Sequence, residues 1–225
     1  MVYPLDFDVF EVYVLFLMDA NKTIQKNKVG RPVNSGRVSR PLSNKEVRSL
    51  LGACYGAYGL RNRAIIILGL CGLRVGTIMN LRKMDLLDPS GQIKSSFVLD
   101  ASREKSKRTH RYYVSKQAKS ILQDYLDSSS LEEDSPLFPS PKTGGFMSSS
   151  AGSRLIGNLL LKAEIYDNTS HSLRKTFAHR CYVEHSVGLV ELQRLLNHSS
   201  PTTTAKIYVG DLTPNISRVM DSISF

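Results

Sequence analysis

Apolar and polar positions along this chain recur with two different periods, and the places where the period changes outline its elements. Val47, Leu50, Leu51 and Cys54 repeat at helical spacing. Ser43-Asn44-Lys45-Glu46 stands before them as a capping box, in which a serine hydroxyl and a glutamate carboxylate take up free helix amides. Arg61 to Cys71 is apolar on nearly every side, which predicts a helix central in the core, broken by Gly72. Val75 to Arg82 predicts a short third helix. From Gly91 the period shortens. Ile93 to Leu99 and Arg111 to Val114 read as two strands joined by the basic loop Arg103-Glu104-Lys105-Ser106-Lys107-Arg108. Ser115 then caps a helix whose apolar face is Ala118, Ile121, Leu122, Tyr125 and Leu126.

Asp127 to Ser135 is an acidic, serine-rich loop, and Pro136, Pro139, Pro141, Gly144 and Gly145 mark a second turn region. Leu155, Ile156, Leu159 and Leu160 share a helical face. A further helix starts near His171, with Leu173, Phe177, Ala178 and Cys181 inward, and Val190 to Leu196 and Thr202 to Tyr208 predict two shorter ones. The expected fold is therefore mainly α with a small antiparallel β-hairpin, an α+β arrangement without internal repeats. Three segments are expected: an apolar stretch and basic linker over 1–40, a compact domain over 41–210, and a tail over 211–225. In the tail Ile216, Val219, Met220 and Ile223 form a narrow apolar stripe.

Charge narrows the choice of partner. Thirty Lys and Arg against twenty Asp and Glu give a formal charge of +10, which favours a polyanion: nucleic acid, or an anionic membrane surface. Lys22 to Arg40 holds six of the basic residues and no acidic one, as in a solvated linker or an arm that tracks DNA. Cys54, Cys71 and Cys181 are too scattered for a disulfide framework or a cysteine zinc site and read as small core residues in a reducing cytosol. The longest apolar run, Ala64 to Leu73, falls far short of the ~20 residues that cross a bilayer. With no basic residue early in the N-terminus, a signal peptide is not expected. The reading is a soluble, cytoplasmic protein without a membrane partner.

Several residues could carry chemistry. Arg74 lies at the junction after Gly72-Leu73, where its planar fork can project into a cleft and bind phosphate; the plain alternative is a surface arginine. His171 and Arg174, three residues apart, share a helix face and could move a proton and hold an oxyanion, or simply form a solvated helix start. His198 follows an apolar helix, and Tyr208 lies ten residues on; a tyrosine in such a place is commonly core. His171, His179, His185 and His198 lack the spacing of a helical zinc site.

Taken in order, these phrases resemble the active-site signature of the tyrosine recombinases, or phage-type integrases. Gly72-Leu73-Arg74-Val75-Gly76 resembles the first box. His171-Ser172-Leu173-Arg174-Lys175-Thr176-Phe177-Ala178 resembles the second. Leu195-Leu196-Asn197-His198-Ser199-Ser200, with Thr203-Thr204 and Ile207-Tyr208, resembles the third. The family also carries a lysine at the hairpin tip. Counting back from Tyr112-Tyr113-Val114 makes it Lys105, with Lys107 the alternative. The resemblance spans about residues 41–210. There are departures. Thr77 stands where the first box usually has Glu, Ser172 replaces the usual Asp of the second, and the interval from His198 to Tyr208 is one residue longer than is common. Most members have an N-terminal domain that clamps the other face of the DNA. Here the match starts after residue 40, which fits a short enzyme like the fimbrial-switch invertases and equally a truncated chain.

The resemblance implies a mechanism. Arg74 and Arg174 would neutralise a DNA phosphodiester and its five-coordinate transition state, while His198 bonds a non-bridging oxygen. Tyr208 would attack phosphorus with His171 as base and Lys105 as acid for the departing 5′ oxygen. A 3′-phosphotyrosyl ester keeps the bond energy, so religation needs no cofactor, neither ATP nor metal. Arg37, Arg40, Arg103, Lys107 and Arg108 would contact DNA phosphates. The implied partners are double-stranded DNA bearing a recombination site and three further copies of the chain, with room for accessory DNA-bending proteins. A type IB topoisomerase-like nicking-closing enzyme and an inactive DNA-binding regulator on the same scaffold are the alternatives.

Overall fold

The computed structural model describes residues 39–104, 107–198 and Thr204. Helix α1 (Asn44–Gly52) opens with the expected capping box. Ser43 Oγ accepts from Glu46 N at 3.3 Å, and Ser43 N donates to Glu46 Oε2 at 2.8 Å. Its Val47 and Leu50 face inward. Helix α2 (Gly59–Leu70) is the centre of the domain, with Ala64 through Gly69 all buried. Each buried Ile or Leu there contributes roughly 1.5–3 kcal/mol relative to an exposed one. Helix α5 (Lys116–Asp127), capped by Ser115, packs along α2, as does α7 (His171–His179).

Two glycines set how closely α7 approaches. A Cβ on Gly69 would lie 2.6 Å from Leu173 Cδ1. One on Gly72 would lie 2.7 Å from the Phe177 ring, and Gly72 also has φ +87°, a conformation that side chains disfavour. The end of α2 is thereby locked onto α7.

The chain beyond Gly72 departs from the expected single helix. Helix α3 (Val75–Met79) stops, and α4 (Lys83–Leu86) starts anew. Between them Leu81 O accepts from Leu137 N at 2.8 Å, and the Asp85 carboxylate accepts from Arg82 N at 2.7 Å. These bonds take the backbone that a continuous helix would have used. The first strand is shorter than its apolar run, and the second has the expected length but starts one residue earlier. Strand β1 (Ser96–Leu99) pairs antiparallel with β2 (His110–Tyr113), while Ile93 makes a separate bridge to Leu87. Phe97 and Tyr112 pair across the ladder and stack 5.5 Å apart on the buried face.

Helix α6 (Ser149–Lys162), capped by Ser148, packs on α3. After α7 the chain widens into one π-helical turn, Arg180–Glu184, then forms α8 (Leu189–Leu195). The main core runs from Leu42 to Leu173. Ala178, Leu192 and Leu196 make a separate small cluster with Phe177, Cys181, Tyr182 and Val187 around it. Residues 1–38, the tail and most of the helix expected over 202–208 lie outside the described residues; Thr204 is helical and fully buried. Among the described residues no helix is long and apolar enough to cross a membrane.

Candidate active site

Two backbone turns and helix α7 meet at one end of α2. Arg74 is the extended residue ahead of α3, so its side chain leaves the helix stack. Its Nη2 donates to Asn197 O at 2.9 Å. Its Nη1 is buried and, among the described residues, has no hydrogen-bond partner. Arg174, on α7 and 4% exposed, donates to Gly72 O and to Leu196 O. The two guanidinium groups thus tie the turn after α2 to the turn after α8.

That second turn has a recognisable construction. Asn197 N bonds Arg194 O at 3.0 Å and His198 N bonds Gln193 O at 3.1 Å, the paired closure of a Schellman motif. The motif needs a left-handed residue. Asn197 supplies it with φ +48°, a conformation asparagine tolerates better than most residues. The outcome is that His198 is delivered beside the two arginines. Its Nδ1 lies 2.9 Å from Thr204 Oγ1. Half-burial, with the charges of Arg174 and Arg74 added, pushes its pKa down to about 4, so the ring is neutral near pH 7.

A cleft of about 510 Å³ opens beside Arg74. Arg74, Thr77, Glu104, Lys107, Ser149 and His171 are among its lining residues. His171 is exposed at the first turn of α7, with its backbone N on Thr169 Oγ1 at 3.3 Å. Ser172, where the second box usually has Asp, is fully buried. Its Oγ donates to Asn168 Oδ1 at 2.7 Å and accepts from Thr169 N at 3.2 Å, closing the turn that leads into α7. The structure therefore brings Arg74, Arg174 and His198 together and sets His171 on the rim of the cleft. Lys105, Tyr208 and Arg37 lie outside the described residues.

Two of the residues expected to contact phosphate also pair with protein carboxylates. Arg103 makes a bidentate pair with Asp85, both contacts at 2.7 Å, and donates to Asn80 O at 2.7 Å. Its fork fastens the hairpin loop to α4. Arg40 pairs with the Glu46 carboxylate and donates to Pro41 O at 3.0 Å. That pairing, with the amide and hydroxyl of Ser43, pulls the Glu46 pKa down to about 2. Lys107 and Arg108 are exposed, and Lys107 lines the cleft.

Sequence patterns assign no role to three participants. Thr204 partners His198. Glu104 reads as one more charge of a solvated loop, yet it is buried. His110 bridges β2 to α8 through Leu195 O at 3.2 Å and sits edge-on to Tyr112 at 4.5 Å. Burial lowers its pKa, the Leu195 carbonyl and Glu104 oppose that, and Arg174 and Arg74 add to it. Among the described residues no three His, Cys, Asp or Glu side chains gather as a metal site would require.

Set beside known families, residues 40–213 match the phage integrase family. The chain belongs to that family. The probable integrase/recombinase YoeC of Bacillus subtilis (strain 168) is 27% identical over 151 residues, covering 67% of this chain and 77% of YoeC. The crystal structure of XerA recombinase superposes with a TM-score of 0.66 at 25% identity, covering 87% of this chain and 68% of XerA. XerH recombinase, in a post-cleavage complex with palindromic difH substrate, superposes with a TM-score of 0.65 at 18% identity, over 84% of this chain and 54% of XerH. The mostly helical domain with its two-stranded sheet is thus the tyrosine recombinase catalytic fold. Within it, Arg74 stands at the turn ahead of α3, Arg174 on α7 and His198 at the turn after α8.

Proposed function

We propose that this phage integrase relative is a site-specific DNA recombinase of residues 41–210, acting in the cytoplasm to integrate, excise or invert a DNA element. The observation that carries the reading is the convergence of two guanidinium groups and a neutral imidazole beside a cleft, with one buried arginine donor unused. A phosphodiester in that cleft takes Arg74 Nη1. Both fixed charges then act on the oxygens where charge grows in the five-coordinate transition state. His198 donates from Nε2 in the tautomer where the Thr204 hydroxyl donates to Nδ1. His171, exposed at the rim, takes the phenolic proton as Tyr208 attacks phosphorus. Lys105 protonates the 5′ oxygen as that bond breaks, leaving a 3′-phosphotyrosyl ester. Attack by a partner strand's 5′ hydroxyl reverses these transfers and needs no cofactor.

The partner is duplex DNA carrying a recombination site. XerH is known bound to its difH substrate, and the basic balance of this chain suits the same class of ligand. Four copies on two duplexes would perform exchange, each tail (211–225) docking on a neighbour.

The test uses the full chain and duplexes that tile the DNA flanking its gene, each bearing a nick. A covalent protein–DNA adduct, followed by exchange between two differently marked duplexes, is the expected result. Adduct without exchange identifies a nicking-closing enzyme, and tight binding without adduct a regulator.

A further inference from the structure

Glu104 is 2% exposed, an unusual place for a carboxylate in a basic loop. Its Oε1 accepts from Tyr112 OH at 2.8 Å and from Thr77 Oγ1 at 3.4 Å. Its Oε2 is buried and, among the described residues, has no partner. The same cleft wall carries Arg74, whose Nη1 is likewise buried and unpartnered. One orphan is an acceptor and the other a donor, and neither reaches the other directly. A buried carboxylate half-satisfied in this way is costly, and a facing positive charge is what offsets it.

The backbone at Glu104 is held on both sides. Arg103 is bonded to Asp85 and Asn80, and Lys107 N bonds Glu104 O at 3.1 Å to close the turn. Tyr112, fully buried on β2, fixes the side chain. The charges of Glu104, Arg74 and Arg174 all bear on the half-buried His110.

We propose that Glu104 is a positioning residue for Arg74: its buried carboxylate, braced by Tyr112 and Thr77, orients the Arg74 guanidinium through its charge across the shared cleft wall. The inference deepens the phosphodiester-cleavage reading and rests on it for the consequence to rate, but the action of one charge on the other across the cleft wall belongs to the free protein. It also has a geometric corollary. Since Thr77 Oγ1 already touches the carboxylate, a Glu at 77 can supply the same charge from the other side of the contact.

The experiment follows the Arg74 Nε–Hε resonance of the full chain, identified by its loss in Arg74→Lys. Glu104→Gln keeps an acceptor for Tyr112 but removes the charge. It is expected to shift or broaden that resonance, and to slow adduct formation on the tiled duplexes about tenfold or more, as a small misplacement of a catalytic group does. DNA affinity should fall no more than about twofold, because a negative charge is being removed. The double variant Thr77→Glu/Glu104→Gln should restore both the resonance and the rate. Tyr112→Phe, which frees the carboxylate without deleting it, should perturb the same resonance less. An Arg74 resonance unchanged in Glu104→Gln and in Tyr112→Phe overturns the proposal. So does a rate defect in Glu104→Gln that the double variant leaves uncorrected. If the parent chain forms no adduct, the recombinase reading fails, and the resonance alone decides the role of Glu104.

Discussion

Arg74 and Arg174 look alike as sequence, each a box arginine, but their surroundings divide the work. Arg174 is buried with its fork on two carbonyls, whereas Arg74 keeps a donor in reserve. Arg174→Ala leaves Gly72 O and Leu196 O without that donor, at about 1–3 kcal/mol for each buried group. It should lower the melting temperature distinctly more than Arg74→Ala in calorimetry. Arg74→Ala should fold normally and slow cleavage by roughly a hundred- to a thousandfold, about 2.7–4 kcal/mol, in single-turnover assays. His198 offers a test by pH. Its folded pKa of about 4 lies below the ordinary 6.5, so the neutral ring adds stability that is full above about pH 6.5 and fades as pH falls through about 4. Imidazole NMR should find His198 neutral at pH 5.5 in the free protein. Bound DNA should move its titration upward, because a phosphate offsets the two arginine charges that depress it.

At the scale of elements, the first box stands on the main core, the second runs from that core at Leu173 to the small cluster of Ala178, Leu192 and Leu196, and the third stands on that cluster. Little apolar area holds α8 down, so it should open locally more easily than α2. Hydrogen exchange should show α8 amides less protected than those of Ala64 to Leu68; equal protection would contradict this. The Schellman turn adds a sharper expectation. Asn197→Gly should be tolerated, and Asn197→Val, β-branched at φ +48°, should displace His198 and reduce cleavage. Much of this was legible from sequence: the Ser43–Glu46 box, the all-apolar helix before Gly72 and the inward face of α5 each follow from local pattern. The break between α3 and α4 was not, because Leu137, which takes Leu81 O, lies far along the chain. Nor was the π-helical turn after α7. The protein partners of Arg103 were not legible either, for a related reason. A loop arginine reads as solvated until folding brings Asp85 beneath it, and Glu104 is buried by the same closure.

For the whole molecule, the formal charge of +10 is shared between the domain and the basic residues of 22–40, of which all but Arg40 lie outside the described residues. If that segment tracks DNA, deleting it should lower affinity and flatten the salt dependence by the number of phosphates it neutralises. An unchanged slope would make it a linker. Truncation after Asp211 should leave a folded monomer that fails to assemble on DNA; a monomer that loses several degrees of stability while assembling normally would place the tail on its own chain. Both expectations depend on the claim that this scaffold performs covalent strand cleavage, and one measurement addresses that directly. The full chain is incubated with nicked duplexes tiling the DNA beside its gene. The adduct is digested with protease and nuclease, and the phosphotyrosyl peptide is sequenced by mass spectrometry. The account predicts a 3′-linked nucleotide on Tyr208 and no adduct from Tyr208→Phe, which should still bind DNA. A nucleotide on Tyr182 or any other tyrosine, or bound DNA that never becomes covalently attached on any duplex of the set, would contradict it.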